Sequence, residues 1–134
     1  MRTGRVIVVA AIAAFVLFTS LGGVVSAHHS RAGYDKKVIT LKGVVTSVAW
    51  RNPHVFVMFA VKDDNGNVVN WSGELSSIST MLAAGMAKDT LKPGDEIIIT
   101  GSPAEAGTPQ SLIAKLTRTD GTVVVGDSYR SDTR

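Results

Sequence analysis

The sequence predicts an all-β domain with one short helix, folded as a five- or six-stranded antiparallel barrel, and three observations carry that prediction. Beyond residue 37 apolar and polar residues alternate in several short runs, the period of half-buried strands. Turn-forming groups separate the runs: Arg51-Asn52-Pro53, Asp63-Asp64-Asn65-Gly66-Asn67, Leu91-Lys92-Pro93-Gly94-Asp95 and Asp120-Gly121. One stretch alone, residues 76–86, changes to helical spacing.

The elements follow in order. Residues 38–50 alternate loosely, with Val38, Leu41, Val44 and Val48 set against Thr40, Lys42, Thr46 and Ser47, which predicts a long strand bent near Gly43. Residues 54–62, rich in β-branched and aromatic side chains, form the second strand, and the Asp63-to-Asn67 group turns the chain into a third over residues 68–73. Ile78, Met81, Leu82 and Met86 then mark a helix capped by Ser76 or Ser77. The Lys92-Pro93-Gly94-Asp95 turn feeds an apolar strand over residues 96–100, residues 101–110 read as a loop, and residues 111–118 and 122–125 make a last hairpin around Asp120-Gly121. The expected core is Val44, Val48, Val57, Phe59, Ile78, Leu82, Ile97 and Ile99. Three meander strands, a helix and two or three further strands are the order of the oligonucleotide/oligosaccharide-binding (OB) barrel, whose closure removes exposed strand edges.

Ahead of this domain lies a leader. Arg2 and Arg5 supply a basic start, residues 6–21 an apolar run, and Val25-Ser26-Ala27 a small-residue cleavage signal. Residues 1–27 therefore read as a cleaved signal peptide, which sends the domain to the periplasm or the exterior with no membrane attachment afterwards. The rival reading is an uncleaved anchor, since the 22 uncharged residues 6–27 would span about 30 Å of hydrocarbon as a helix. Gly22 and Gly23 argue against it by breaking that helix ahead of the cleavage signal. Residues 28–37 then form an arm, 38–126 the barrel and 127–134 a frayed tail. The 107 residues after Ala27 are enough to bury about two thirds of their unfolded surface around one core, which excludes a multi-domain enzyme.

The absence of cysteine excludes disulfides, thiolate catalysis, thiolate zinc sites and iron–sulfur clusters. With Arg2 and Arg5 in the leader, 12 of the 14 basic residues stand against 11 acidic ones. A net charge near +1 lacks the basic footprint of nucleic-acid binding, so the expected partner is a protein or small molecule and no nucleic acid. Ser30, Ser72 and Ser79 lie in no nucleophile elbow, no glycine-rich phosphate loop is present, and Asp63-Asp64 belongs to a turn. Support for catalysis is thin, and hydrolase activity is not expected.

Ala27-His28-His29-Ser30, Trp50-Arg51-Asn52-Pro53-His54, Asn70-Trp71 with Glu74-Leu75, and Leu91-Lys92-Pro93-Gly94-Asp95 with Thr100-Gly101 resemble, in order and spacing, a family of small exported bacterial proteins catalogued as domain of unknown function 6152. The resemblance spans nearly the whole chain after the leader. It implies a single exported domain and supplies no reaction.

The three histidines, His28, His29 and His54, are the candidate metal ligands. Cleavage after Ala27 makes His28 the amino terminus, so that one α-amine and up to three imidazoles gather. An all-nitrogen set of this kind favours copper(II) among the divalent first-row ions. The pattern at His28 resembles the histidine brace of copper-dependent polysaccharide monooxygenases and some periplasmic copper carriers, in which a terminal histidine chelates through amine and ring. Cleavage after Ser26 instead places His29 third, a copper and nickel chelate using the amine, backbone nitrogens and that ring. The bland reading is that His28 and His29 are solvated and His54 a turn residue. Around His54, Asn52 and Pro53 form a candidate ligand loop, and Glu74 offers an outer hydrogen-bond partner for His54, or else is a solvated carboxylate or a charge at the helix start. Trp50, Trp71 and Phe56 offer an aromatic surface, but with only six aromatics after the leader core packing is the favoured reading.

Overall fold

A computed structural model describes residues 32–127. The chain runs β1 (Ile39–Ala49), β2 (Phe56–Lys62), β3 (Val68–Glu74), α1 (Ile78–Ala83), β4 (Glu96–Pro103), β5 (Gln110–Arg118) and β6 (Val123–Val125). Strand order β3-β2-β1-β4-β5, with β3 returning to pair β5, closes a five-stranded barrel, and β6 hangs from β5 as an extra strand.

The barrel is mixed, which corrects the expectation of an antiparallel one. Ser72, Gly73 and Glu74 of β3 pair in parallel with Gln110, Ser111 and Leu112 of β5, whereas every other pairing is antiparallel. The reason is parity: five strands in a ring cannot alternate direction throughout, so at least one neighbouring pair must run the same way.

β1 is long because it serves two partners. Ile39 to Val44 pair with β4 and Val44 to Ala49 with β2, so the handover falls beside Gly43, where the sequence suggests a bend. A Cβ on Gly43 would lie 2.7 Å from the Ala60 carbonyl oxygen and 2.8 Å from Cδ2 of Phe59, so this crossing requires glycine. Gly43→Ala is expected to cost about 1–3 kcal/mol, read as a lower denaturant midpoint at unchanged slope.

Two expected core residues are in fact exposed. Val44 points outward and Val45 is buried, because a register shift between Val45 and Ser47 changes the phase of alternation along β1. Gly43 and Val45 face the core before the shift and Val48 packs against it afterwards. Leu82 is exposed because α1 has only six residues and turns Met81 inward. Ile78 packs at the core's edge, while Val57, Phe59, Ile97 and Ile99 are fully buried as expected. The strand expected to stop at Thr100 runs on to Pro103, past a register shift at Thr100 and Gly101. Proline fits this last position because its carbonyl is the group used, accepting from Asp35 N at 2.8 Å.

Local chemistry explains the turns. Asp63 accepts from Asn65 N, Asn67 N and Asn67 Nδ2 at 2.8–3.1 Å, and these bonds, that of the Asn67 side chain foremost, hold its carboxyl below the ordinary value. Ser77 caps α1 by accepting from Thr80 N. The helix ends at Gly85, whose φ of 88° lets Met86 N donate back to Met81 O at 2.9 Å. At the Lys92-to-Asp95 turn, Gly94 N and Asp95 O bracket Val45 through hydrogen bonds of 2.8 and 2.9 Å, laying the turn across the irregular part of β1. Arg118 locks it, with Nη1 2.9 Å from Asp95 and Nη2 donating to Thr90 O at 2.6 Å.

Candidate functional site

The site forms where three connections converge. The β1–β2 loop carries His54, β3 ends at Glu74, and the β4–β5 loop follows Pro103. Val55 and Val57 are fully buried, so in extended chain the intervening Phe56 and the flanking His54 take the outer face. Phe56 pairs with Glu74, and residues directly opposite in adjacent strands share a face. Val55 N donates to Ser76 O, and Leu75 N donates to Val55 O, which extends the pairing to the turn and brings His54 alongside the end of β3.

The result is one of the roles that the sequence leaves open for Glu74, a contact of 2.6 Å between its Oε1 and His54 Nδ1. Its counterpart was not expected: Tyr34 donates its hydroxyl to Glu74 Oε2 at 2.6 Å. The Glu74 side chain is only 15 % exposed, so both oxygens need such partners. Tyr34 belongs to the arm. It bridges to Ala104, while Gly33 O accepts from Glu105 N and Asp35 N donates to Pro103 O. Residues 33–35 therefore lie along the end of β4. Sequence reasoning missed Tyr34; the available signal was a lone phenol in a polar segment six residues beyond His28.

The remaining expected residues divide. Asn52 points its side chain elsewhere, its Oδ1 accepting from Ile78 N at 3.1 Å, so it satisfies a helix N-terminus. Asn52→Ala should cost about 1 kcal/mol, with Asn52→Asp restoring it, seen as a drop and recovery of the thermal midpoint. Pro53 is exposed and follows a cis peptide bond. Trp50 and Trp71 pack against the core, as the packing reading has it, and leave only Phe56 of the three aromatics on the outer face. His28 and His29 lie outside the described residues. Among the described residues no group of three histidine, cysteine, aspartate or glutamate side chains is placed to hold a metal ion. His54 and Glu74 alone are thus a paired histidine and carboxylate, not a metal site.

A concavity of about 390 Å³ opens over the outer face of β1 and β2 and is lined by Lys42, Gly43, Val44, Ala60, Lys62 and Glu96. Lys42 Nζ lies 4.0 Å from Glu96 Oε2, both well exposed, a contact worth little.

Fold and site together define a small OB-type barrel with a tyrosine–carboxylate–histidine set at its seam. Residues 16–113 match the family of unknown function DUF6152, and the chain belongs to that family. No curated protein matches the chain. Among solved structures it is similar to the small single-stranded DNA-binding protein from Streptomyces coelicolor, with 17 % identity, a TM-score of 0.49, and coverage of 63 % of this chain and 93 % of that one. It is also similar to a part of TiaS, solved in complex with a transfer RNA and ATP, with 18 % identity, a TM-score of 0.44, and coverage of 61 % of this chain but only 18 % of the other.

The first likeness corrects the exclusion of nucleic acid. The neighbour is a single-stranded DNA-binding protein, so the sequence-based exclusion of nucleic acid is withdrawn. Likeness at such identity concerns the fold and assigns no ligand here.

Proposed function

We propose that the chain is an exported binding module of the periplasm or exterior whose ligand is a transition-metal ion, copper(II) above all. The observation that carries this reading is the 2.6 Å contact between His54 Nδ1 and Glu74 Oε1. A carboxylate on one ring nitrogen is the usual outer partner of a metal-ligating histidine: it fixes the tautomer and leaves Nε2 as the ligand atom. The further donors come from the start of the chain. A terminus at His28 chelates through its amine and ring. A terminus at Ala27 chelates through its amine, backbone nitrogens and His29. In either case Tyr34 ties the same arm to the carboxylate that holds His54.

Reach supports the arrangement. Six residue steps separate His28 from Tyr34, about 20 Å when extended, and Tyr34 is already two hydrogen bonds from the His54 ring. The test is intact-mass measurement of the exported protein together with copper titration. A chain beginning at His28 or Ala27 that binds copper supports the reading. A chain that keeps Met1, with its amine 27 residues from His28, contradicts it.

A second reading, a metal-free module for a protein, glycan or small molecule, is favoured by the cleft over β1 and β2 and by exposed Val44 and Val68 on the same outer face. It predicts no copper affinity above that of free histidine.

A further inference from the structure

We propose that the first half of β3 is a docking edge for a second copy of this chain, which pairs with it antiparallel about a two-fold axis at Val69. The inference goes beyond both readings above and holds whether or not copper binds. Closure of the barrel stops short: β3 pairs with β5 only through Ser72, Gly73 and Glu74, so Val68 to Trp71 have β2 on one side and, among the described residues, no strand on the other. Pro109 explains where the seam ends. Ser72 N donates to Pro109 O at 3.0 Å. One further step of that parallel ladder needs an N–H from residue 109 for the Asn70 carbonyl, and proline has none. The Ser72 bond also fixes which groups point outward. Backbone polar groups alternate along a strand, so Val68 and Asn70, like Ser72, direct N–H and C=O away from β2. Among the described residues these groups have no hydrogen-bond partner.

Open edges are normally blunted by lysine, proline or a bulge. This one carries Val68, Val69 and Asn70, with Val68 58 % and Val69 37 % exposed, and its pairing with β2 runs without a register shift. The occupant follows from the symmetry of the pattern. When Val68 stands opposite Asn70 of the second copy, each such pair exchanges both of its backbone bonds, and every outward group of both copies is satisfied. Val69 then faces Val69 of the second copy across the axis as a close, non-hydrogen-bonded pair, and two partly exposed β-branched side chains leave water together. The contact is closed, because it uses up both edges and cannot propagate. It is also short, which places it among weak, reversible interfaces that depend on concentration.

The chain has no cysteine, so single cysteines report the register. The experiment measures the rate at which the purified exported chain forms a covalent dimer under oxidised glutathione when it carries Val69→Cys or Val68→Cys. In the proposed register the two copies of residue 69 lie about 4.5 Å apart at Cα, inside the disulfide range of about 4.4–6.8 Å. The two copies of residue 68 are diagonal neighbours about 7–8 Å apart, too far to bridge. Val69→Cys should therefore dimerise at least about tenfold faster than Val68→Cys, the reverse of the order that exposure alone gives. Adding Asn70→Pro to Val69→Cys removes an outward N–H and no bond of the barrel, so it should erase that advantage while circular dichroism keeps the wild-type fold. Should this variant not fold, Val68→Pro, at the first residue of β3, removes the other outward N–H and carries the same expectation. Equal rates for the two cysteines, or faster bridging at residue 68, would overturn the proposal and leave the edge to an extended segment of another protein. An advantage of Val69→Cys that survives the proline would overturn it as well, because the outward backbone groups would then play no part.

Discussion

Replacing Ile97 by aspartate should leave the domain without a folded state. Ile97 is fully buried in β4, opposite Gly43 of β1 and Arg118 of β5, so it sits at the middle of the closed sheet. The substitution forfeits about 1.5–3 kcal/mol of apolar burial and adds a carboxylate that the surrounding Val45, Phe59, Ile99 and Leu116 side chains cannot pair. An unpaired buried charge costs several kcal/mol more, and a domain of this kind has about 5–15 kcal/mol in total. Circular dichroism should show loss of the cooperative thermal transition. Ile98→Asp is the control: Ile98 pairs with Lys42 and Thr117 on the outer side of the same strand, so this variant should still melt cooperatively. A cooperative Ile97→Asp protein would mean that the β4 face assignment is wrong.

The second large effect concerns copper. Since the outer partner of a ligand is already worth about 10- to 100-fold, removing a ligand should weaken binding by at least about 100-fold. For a chain beginning at His28, both His28→Ala and His54→Ala should therefore lose two or more orders of magnitude in copper(II) affinity, measured by chelator competition. The sign of the pH effect follows from competition between metal and proton. Imidazole and amine must be deprotonated to bind, so affinity falls as pH is lowered from about 7.5 to about 5.5. In the metal-free reading His54→Ala binds as wild type does, with an affinity no higher than that of free histidine.

Much of the fold is legible in local chemistry, and the exceptions share a cause. Asp63 to Asn67 defines its hairpin because one carboxylate can satisfy three nearby donors, a matter of five consecutive residues. Ser77 and Gly85 bound the helix for equally local reasons. What escapes is set by distant pairing. The register shift in β1 that turns Val44 outward depends on how β2 and the Lys92-to-Asp95 turn meet it. The parallel seam joins Gly73 to Ser111, a relation imposed by ring closure and absent from either segment's alternation. The same distinction divides the site. Glu74 and His54 lie at the paired ends of two strands joined by a recognisable hairpin, so their meeting follows from strand register. Tyr34 reaches Glu74 only because residues 33–35 run along the end of β4, which no pattern in that segment encodes. Asn52 carries the opposite lesson: a polar loop residue that reads as a ligand contact is taken up by the helix that follows β3.

The central claim is that His54 and the amino-terminal histidines share one metal ion, and pulsed electron paramagnetic resonance of the copper(II)-loaded exported chain tests it most directly, because modulation from remote imidazole nitrogens counts coordinated rings. The wild type should show at least two rings and His54→Ala one fewer, with the remainder lost on replacing His28 and His29. Identical modulation in wild type and His54→Ala would contradict the claim and return His54 to the role of a surface histidine paired with Glu74.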